Sequence, residues 1–115
     1  MPRGWAGPYR QNLTFNMTEN SQLPLEAQLN LETGRIAWRE LQRFFASGQA
    51  LAVAPGLDLV KVGTELARDN AHQWTQWMDT GQVGLVSDEQ AQAWHQADAQ
   101  VWALVIRPWV LVQAP

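Results

Sequence analysis

The chain has 115 residues, enough for one domain, and 46% of them are hydrophobic. Its formal net charge is −3 with only eight basic residues, which argues against a nucleic-acid partner, because phosphate binding needs a cluster of Lys and Arg. It has no cysteine, which excludes disulfides, thiol nucleophiles and thiolate metal sites, and which fits a reducing cytoplasm.

The N-terminal segment, residues 1–22, is predicted to be a flexible extension, so a single domain is expected over residues 23–115. Residues 1–16 contain two arginines, no acidic residue, and two each of Gly and Pro. They have no apolar core of the kind that a secretory signal needs. We therefore expect them to be dispensable for folding.

A long first helix is predicted over residues 24–47, with proline in its first turn and Gly48 just beyond its end. Its apolar residues follow the 3.6-residue spacing of one helix face: Leu25, Leu29, Ile36, Ala37, Leu41, Phe44 and Phe45. A short strand at residues 50–55 follows it, closed by Pro55 and Gly56.

The second predicted helix begins at the N-cap residue Asp58 and ends at Gly81. It carries the clearest amphipathic pattern of the chain, with Leu59, Val62, Gly63, Leu66, Ala67, Ala71, Trp74, Trp77 and Met78 on its apolar face. A second short strand is predicted at residues 83–86. Ser87 then caps a third helix, with Gln90 in the capping-box position.

The C-terminal stretch VWALVIRPWVLVQAP, residues 101–115, is apolar, but Arg107 and Pro108 divide it into runs too short to span a membrane. A two-residue hairpin at Arg-Pro is disfavoured, because such turns need positive φ values that proline cannot adopt. We therefore predict one long strand over residues 101–112, buried on both faces, with a bulge or break near Pro108.

The predicted order of elements is α-β-α-β-α-β. Strands separated by helices indicate crossover connections. The expected fold is therefore an α/β (or α+β) single small domain with a three-stranded mixed or parallel sheet packed by helices.

Five stretches of this sequence resemble one family of small bacterial proteins: LETGRIAWRELQRFFASG, GLDLVKV, QWMDTGQV, VSDEQAQAW and VWALVIRPWVLVQ. The family is domain of unknown function 2288, and the resemblance covers residues 31–113. It implies a bacterial cytoplasmic protein. It carries no activity, substrate or catalytic residue over to this chain.

A row of polar residues, Glu65, Asp69 and His72, is predicted on the outer face of the second helix at spacings i, i+4 and i+7. Carboxylates and an imidazole could bind a metal ion or transfer a proton. His95 and Asp98 form a second such pair on the third helix. Both sets are expected on solvated faces, so we interpret them as surface residues and expect no metal and no cofactor.

Arg35, Arg39 and Arg43 form an i, i+4, i+8 stripe on the first predicted helix. Arginine binds carboxylates and phosphates well, so the stripe is a weak candidate for an anionic ligand or an acidic partner. Helix surfaces also carry such rows for solubility and for i, i+3 pairing, for example between Glu32 and Arg35.

The seven tryptophans are an unusual feature of so short a chain. Trp5 lies in the N-terminal segment, and the others lie on predicted core stripes or strands: Trp38, Trp74, Trp77, Trp94, Trp102 and Trp109. Core packing is the simplest interpretation, although tryptophan also anchors interfaces and lines ligand pockets.

The sequence favours a non-catalytic interaction or regulatory module over an enzyme. The alternative is a small ligand-binding protein or enzyme using the Glu65–His72 row or the arginine stripe. A homodimer is expected, because the long C-terminal strand would outreach its neighbours and leave backbone groups unpaired. Trp102, Trp109 and Leu111 are the predicted interface residues, a protein partner is possible, and neither nucleic acid nor a membrane is expected.

Overall fold

A computed structural model describes residues 23–115. Residues 1–22, which carry the predicted N-terminal extension, lie outside the described residues. In chain order the elements are α1 (Leu25–Glu32), β1 (Gly34–Ala37), a 3-10 helix (Trp38–Leu41), α2 (Gln42–Ala46), β2 (Ala50–Val53), α3 (Leu59–Ala67), α4 (Ala71–Asp79), β3 (Val83–Leu85), α5 (Asp88–Gln96), β4 (Gln100–Ile106) and β5 (Trp109–Gln113).

The described strands form one mixed sheet in the order β1-β4-β5-β2-β3. The β1/β4, β4/β5 and β2/β3 pairs are antiparallel, whereas β2 and β5 are parallel, with Leu51 opposite Leu111. The predicted mixed α/β domain is confirmed. The prediction of three strands is wrong, because the sheet formed by residues 23–115 has five.

Helices cover both faces of the sheet, which gives two layers of core. Helices α1, α3 and α4 cover the first face, where the buried residues are Leu29, Leu51, Val53, Leu59, Val62, Ala67, Trp77, Val83, Leu104, Ile106 and Leu111. The 3-10 helix, α2 and α5 cover the second face, where the buried residues are Trp38, Leu41, Ala50, Val86, Ala91, Trp94, Val101, Val110 and Val112. Strands β2, β4 and β5 contribute to both layers because successive side chains point to opposite faces.

The predicted first helix, residues 24–47, is wrong as one element. Helix α1 ends at Glu32, and the hydroxyl of Thr33 donates a hydrogen bond to the Leu29 carbonyl. The next four residues form β1, in which Ile36 lies opposite Val101 of β4. Helical spacing in this segment was overridden by strand pairing, and Thr33-Gly34 was the local signal for a helix end.

The predicted second helix is two helices. Helix α3 ends before Arg68, and Asp69 adopts a positive φ of 61°, which an Asp tolerates better than most residues. Asn70 then caps α4, accepting a hydrogen bond from the Gln73 amide at 3.2 Å. The predicted caps at Asp58 and Ser87 are confirmed, since their side chains accept hydrogen bonds from Val60 and Gln90 respectively.

The predicted single C-terminal strand is also wrong, because β4 and β5 form an antiparallel hairpin in which Ile106 pairs with Trp109. The Arg107–Pro108 peptide is cis. Turns with a cis-proline at their third position form a known class that needs no positive φ. Strand β5 therefore lies between β4 and β2 and is paired on both sides.

None of the helices within residues 23–115 is long and apolar enough to cross a membrane.

Candidate functional site

The predicted polar row does not form one face in the structure. Glu65 belongs to α3, Asp69 lies in the break between the two helices, and His72 is exposed on α4. Glu65 accepts a hydrogen bond from the side chain of Asn70 at 2.8 Å, which ties the end of α3 to the cap of α4. Across residues 23–115, no group of three acidic or histidine side chains is arranged to hold a metal ion.

The three arginines lie on three different elements and do not converge. Arg35, on β1, places its guanidinium 5.6 Å from the ring centre of Trp102. Arg39, on the 3-10 helix, forms an ion pair with Asp98 between two exposed side chains. Arg43, on α2, lies over Phe44 at 5.0 Å. Each guanidinium therefore has a neighbour of its own, and of these three neighbours only Asp98 carries a charge.

Partial burial raises the pKa of the Glu32 carboxyl at the end of α1. Glu32 is next to the arginine stripe in the sequence. Loss of solvent around its carboxyl is enough to explain the raised pKa, without a chemical partner.

The predicted interface residues have different environments. Leu111 is fully buried in the first core layer, and Trp109 is half-buried against the same layer. Trp102 is 39% exposed beneath Arg35. Because β5 is paired on both sides, the structural reason for placing an interface on its backbone no longer holds.

The edge strand β3 carries an exposed apolar side chain. Leu85 is 61% exposed and shares the first face with Val83 and Leu51. Met78 is 48% exposed on the last turn of α4, which packs against β3 and leads into it. Eight consecutive residues, 80–87, carry no charge.

The backbone of β3 alternates between β2 and the open side. Gln82 accepts a hydrogen bond from the Ala54 amide at 2.9 Å, and the Val86 amide donates one to Ala50 at 3.1 Å. Neighbouring residues of an antiparallel strand direct their N–H and C=O groups to opposite sides. Val83 and Leu85 therefore direct theirs away from β2, toward the side where residues 23–115 supply no further strand.

The opposite edge, at β1, is protected by charge. Arg35 lies at the centre of the strand, and Glu32, Arg39 and Glu40 flank it within nine residues of chain. Charged side chains at an edge discourage pairing with another strand. The two ends of the described sheet therefore differ in how readily they accept a partner.

Two shallow depressions lie on either side of Phe45, where α2 faces α5 and the end of β3. The first has a volume of about 280 Å³ and includes Leu85 and Val86 in its wall. The second, of about 290 Å³, is lined by Gln42, Asp88, Ala91, Gln92 and His95 as well as Phe45. Both are open to solvent and without a buried charged pair, unlike the enclosed pockets that hold most small ligands.

Sequence reasoning missed Met78 and Leu85 as candidate interface residues. Residues 83–86 were predicted to be a strand, and that element is present as β3. Its edge position follows from strand order, which the sequence does not reveal. The uncharged run at residues 80–87 was the one available signal.

The model of the family described as "Protein of unknown function (DUF2288)" matches residues 24–114. Among solved structures, the NMR solution structure of PA1075 from Pseudomonas aeruginosa is 36% identical, covers 93% of this chain and 92% of that chain, and has a TM-score of 0.70. No curated protein matches the chain. The two chains therefore share the mixed α/β fold.

Proposed function

The chain belongs to the DUF2288 family, and we propose that it is a non-catalytic interaction or regulatory module of the bacterial cytoplasm that self-associates. The observation that carries the proposal is the edge of the sheet at β3, which no other strand of residues 23–115 covers. Leu85 is exposed on this strand, and Met78 is exposed on the last turn of the helix that leads into it. Natural proteins cover such edges, shorten them or protect them with charge. This edge is short but carries no charge.

The alternative, a ligand-binding protein or enzyme, has less support. Catalytic and metal sites need polar groups that converge on one point. Glu65, Asp69 and His72 occupy two helices and the break between them, and the three arginines each contact a different neighbour.

Light scattering of the full chain at tens of micromolar tests the proposal. We expect about 26 kDa, twice the 13.0 kDa of the chain, with the mass falling toward that of one chain on dilution. The dilution series serves as the control, because irreversible aggregates would not dissociate. A mass of one chain throughout the concentration range would contradict self-association.

A further inference from the structure

We propose that two copies of the chain associate through β3, with the two strands antiparallel about a two-fold axis at Gly84. This inference rests on the proposed self-association and assigns it to a surface. The interface predicted from sequence, on the C-terminal strand, is replaced because β5 lies inside the sheet. Pairing at β3 joins two five-stranded sheets into one continuous sheet.

The direction of the backbone groups sets the register. Val83 and Leu85 are the residues of β3 whose N–H and C=O groups point away from β2. With the axis at Gly84, Val83 of one copy lies opposite Leu85 of the other, so each pair exchanges two hydrogen bonds. The interface then contains four backbone hydrogen bonds, and Gly84 meets its own copy without side chains between them.

The apolar side chains match under the same two-fold axis. Met78 lies on the last turn of α4, which leads into β3, and Leu85 is the last residue of β3, on the sheet face that α4 covers. Antiparallel pairing brings the end of one strand against the start of the other. Leu85 of each copy therefore lies at the α4 end of β3 in the other copy, where Met78 is exposed, so the interface brings two exposed apolar side chains to the same end of the paired strands.

A second copy fits this edge because the edge is complementary to itself. A two-fold interface uses the same surface on both partners, so every exposed group must find its match within one patch. The patch formed by Met78, Val83, Gly84 and Leu85 meets this condition in its backbone hydrogen bonds, and the two-fold axis places the exposed Leu85 of one copy at the Met78 end of the other. Asp79 and Asp88 flank the patch but lie outside the paired residues.

Leu85→Lys tests the interface in the full chain. A charge at this exposed position blocks strand pairing but has little effect on the core, because the side chain is 61% exposed. We expect the mass from light scattering to halve, from about 26 kDa to the 13.0 kDa of one chain. Val105→Lys is the matched control: Val105 is 51% exposed on β4, and this variant keeps the dimer mass.

Amide hydrogen exchange gives a second readout that does not depend on a variant. In the wild-type protein, the Val83 and Leu85 amides become protected as the concentration rises, whereas the exchange of the Arg35 amide at the β1 edge stays unchanged. Two results would overturn the β3 interface but leave self-association intact. One is a Leu85→Lys protein that remains dimeric. The other is a dimeric wild type in which amide exchange at Val83 and Leu85 does not depend on concentration. A monomeric wild type rejects both the β3 interface and self-association.

Discussion

Gly63 lies where α3 crosses the sheet, and it is the residue that allows the helix to approach. A Cβ atom at this position would be 2.5 Å from Leu104 Cδ2 and 3.6 Å from Leu111 Cδ1. Both leucines are fully buried, so neither side chain has free space into which it can move. The sequence shows only a glycine within an apolar helical stripe, where glycine ordinarily lowers the stability of the helix.

Gly63→Ala is therefore expected to destabilise the protein, although alanine is the better helix former. Overpacking a core costs about 1–3 kcal/mol and the gain in helix propensity is about 1 kcal/mol, so the expected net loss of stability is up to about 2 kcal/mol. Chemical denaturation measures the change in the free energy of unfolding. Gly34→Ala is the control, since a Cβ there meets nothing within 4 Å, and its unfolding free energy should stay close to the wild-type value. Equal stability of the two variants would show that the core at Gly63 is looser than described.

At the scale of elements, two long predicted helices are each divided. Strand β1 and the 3-10 helix separate α1 from α2, and residues 68–70 separate α3 from α4. The interruption at Asp69 separates the three members of the polar row, because its positive φ breaks the helical path between α3 and α4. Glu65 is bonded to Asn70, and His72 is exposed. The residues therefore connect two helices and face solvent.

His72→Ala is expected to leave both the thermal midpoint and the metal content unchanged, because substitutions of exposed side chains without partners usually have small effects. Metal analysis of protein purified without chelators, together with calorimetry, checks this result. Glu65→Ala is the informative comparison, since it removes the acceptor of Asn70 and should lower the midpoint slightly. Stoichiometric zinc or manganese that is lost in His72→Ala would establish the metal site that we disfavour.

At the scale of the whole molecule, the order of the strands in the sheet determines how deeply the strand tryptophans are buried. Trp109 lies on β5, a central strand, and packs against the first core layer, whereas Trp102 is partly exposed near the β1 edge. Trp38, Trp77 and Trp94 are buried, and Trp38 packs edge-on against Trp94 with ring centres 5.0 Å apart. Tryptophan supplies much of the core of this small domain.

Trp109→Asp is consequently expected to unfold or strongly destabilise the protein, by roughly 3 kcal/mol or more, because removing a large aromatic ring leaves a cavity and the new carboxylate is desolvated. Circular dichroism during thermal unfolding measures the loss. Trp102→Asp is the control and should cost less, since its position is partly exposed and Arg35 lies beside it. A stable, folded monomer of Trp109→Asp would instead restore the C-terminal strand as an interface.

The sequence by itself determined the features that depend on neighbouring residues. Composition and the pattern of apolar runs indicated one mixed α/β domain. The caps at Asp58 and Ser87 were predictable because an N-cap bonds to amides two or three residues away. The family was also identifiable from short stretches of sequence, and the match over residues 24–114 confirms it.

Tertiary structure decided the features that depend on distant residues. Residues 34–37 have helical spacing but form a strand because β4 offers a partner more than sixty positions away. Residues 101–113 have the apolar pattern of one strand but form the β4–β5 hairpin, and pairing of β5 with both β4 and β2 places it inside the sheet. The order in which the strands pair then determines which strands lie at the two edges of the described sheet. Local sequence cannot specify that order, because the free energy of pairing two strands depends on the side chains of both strands together.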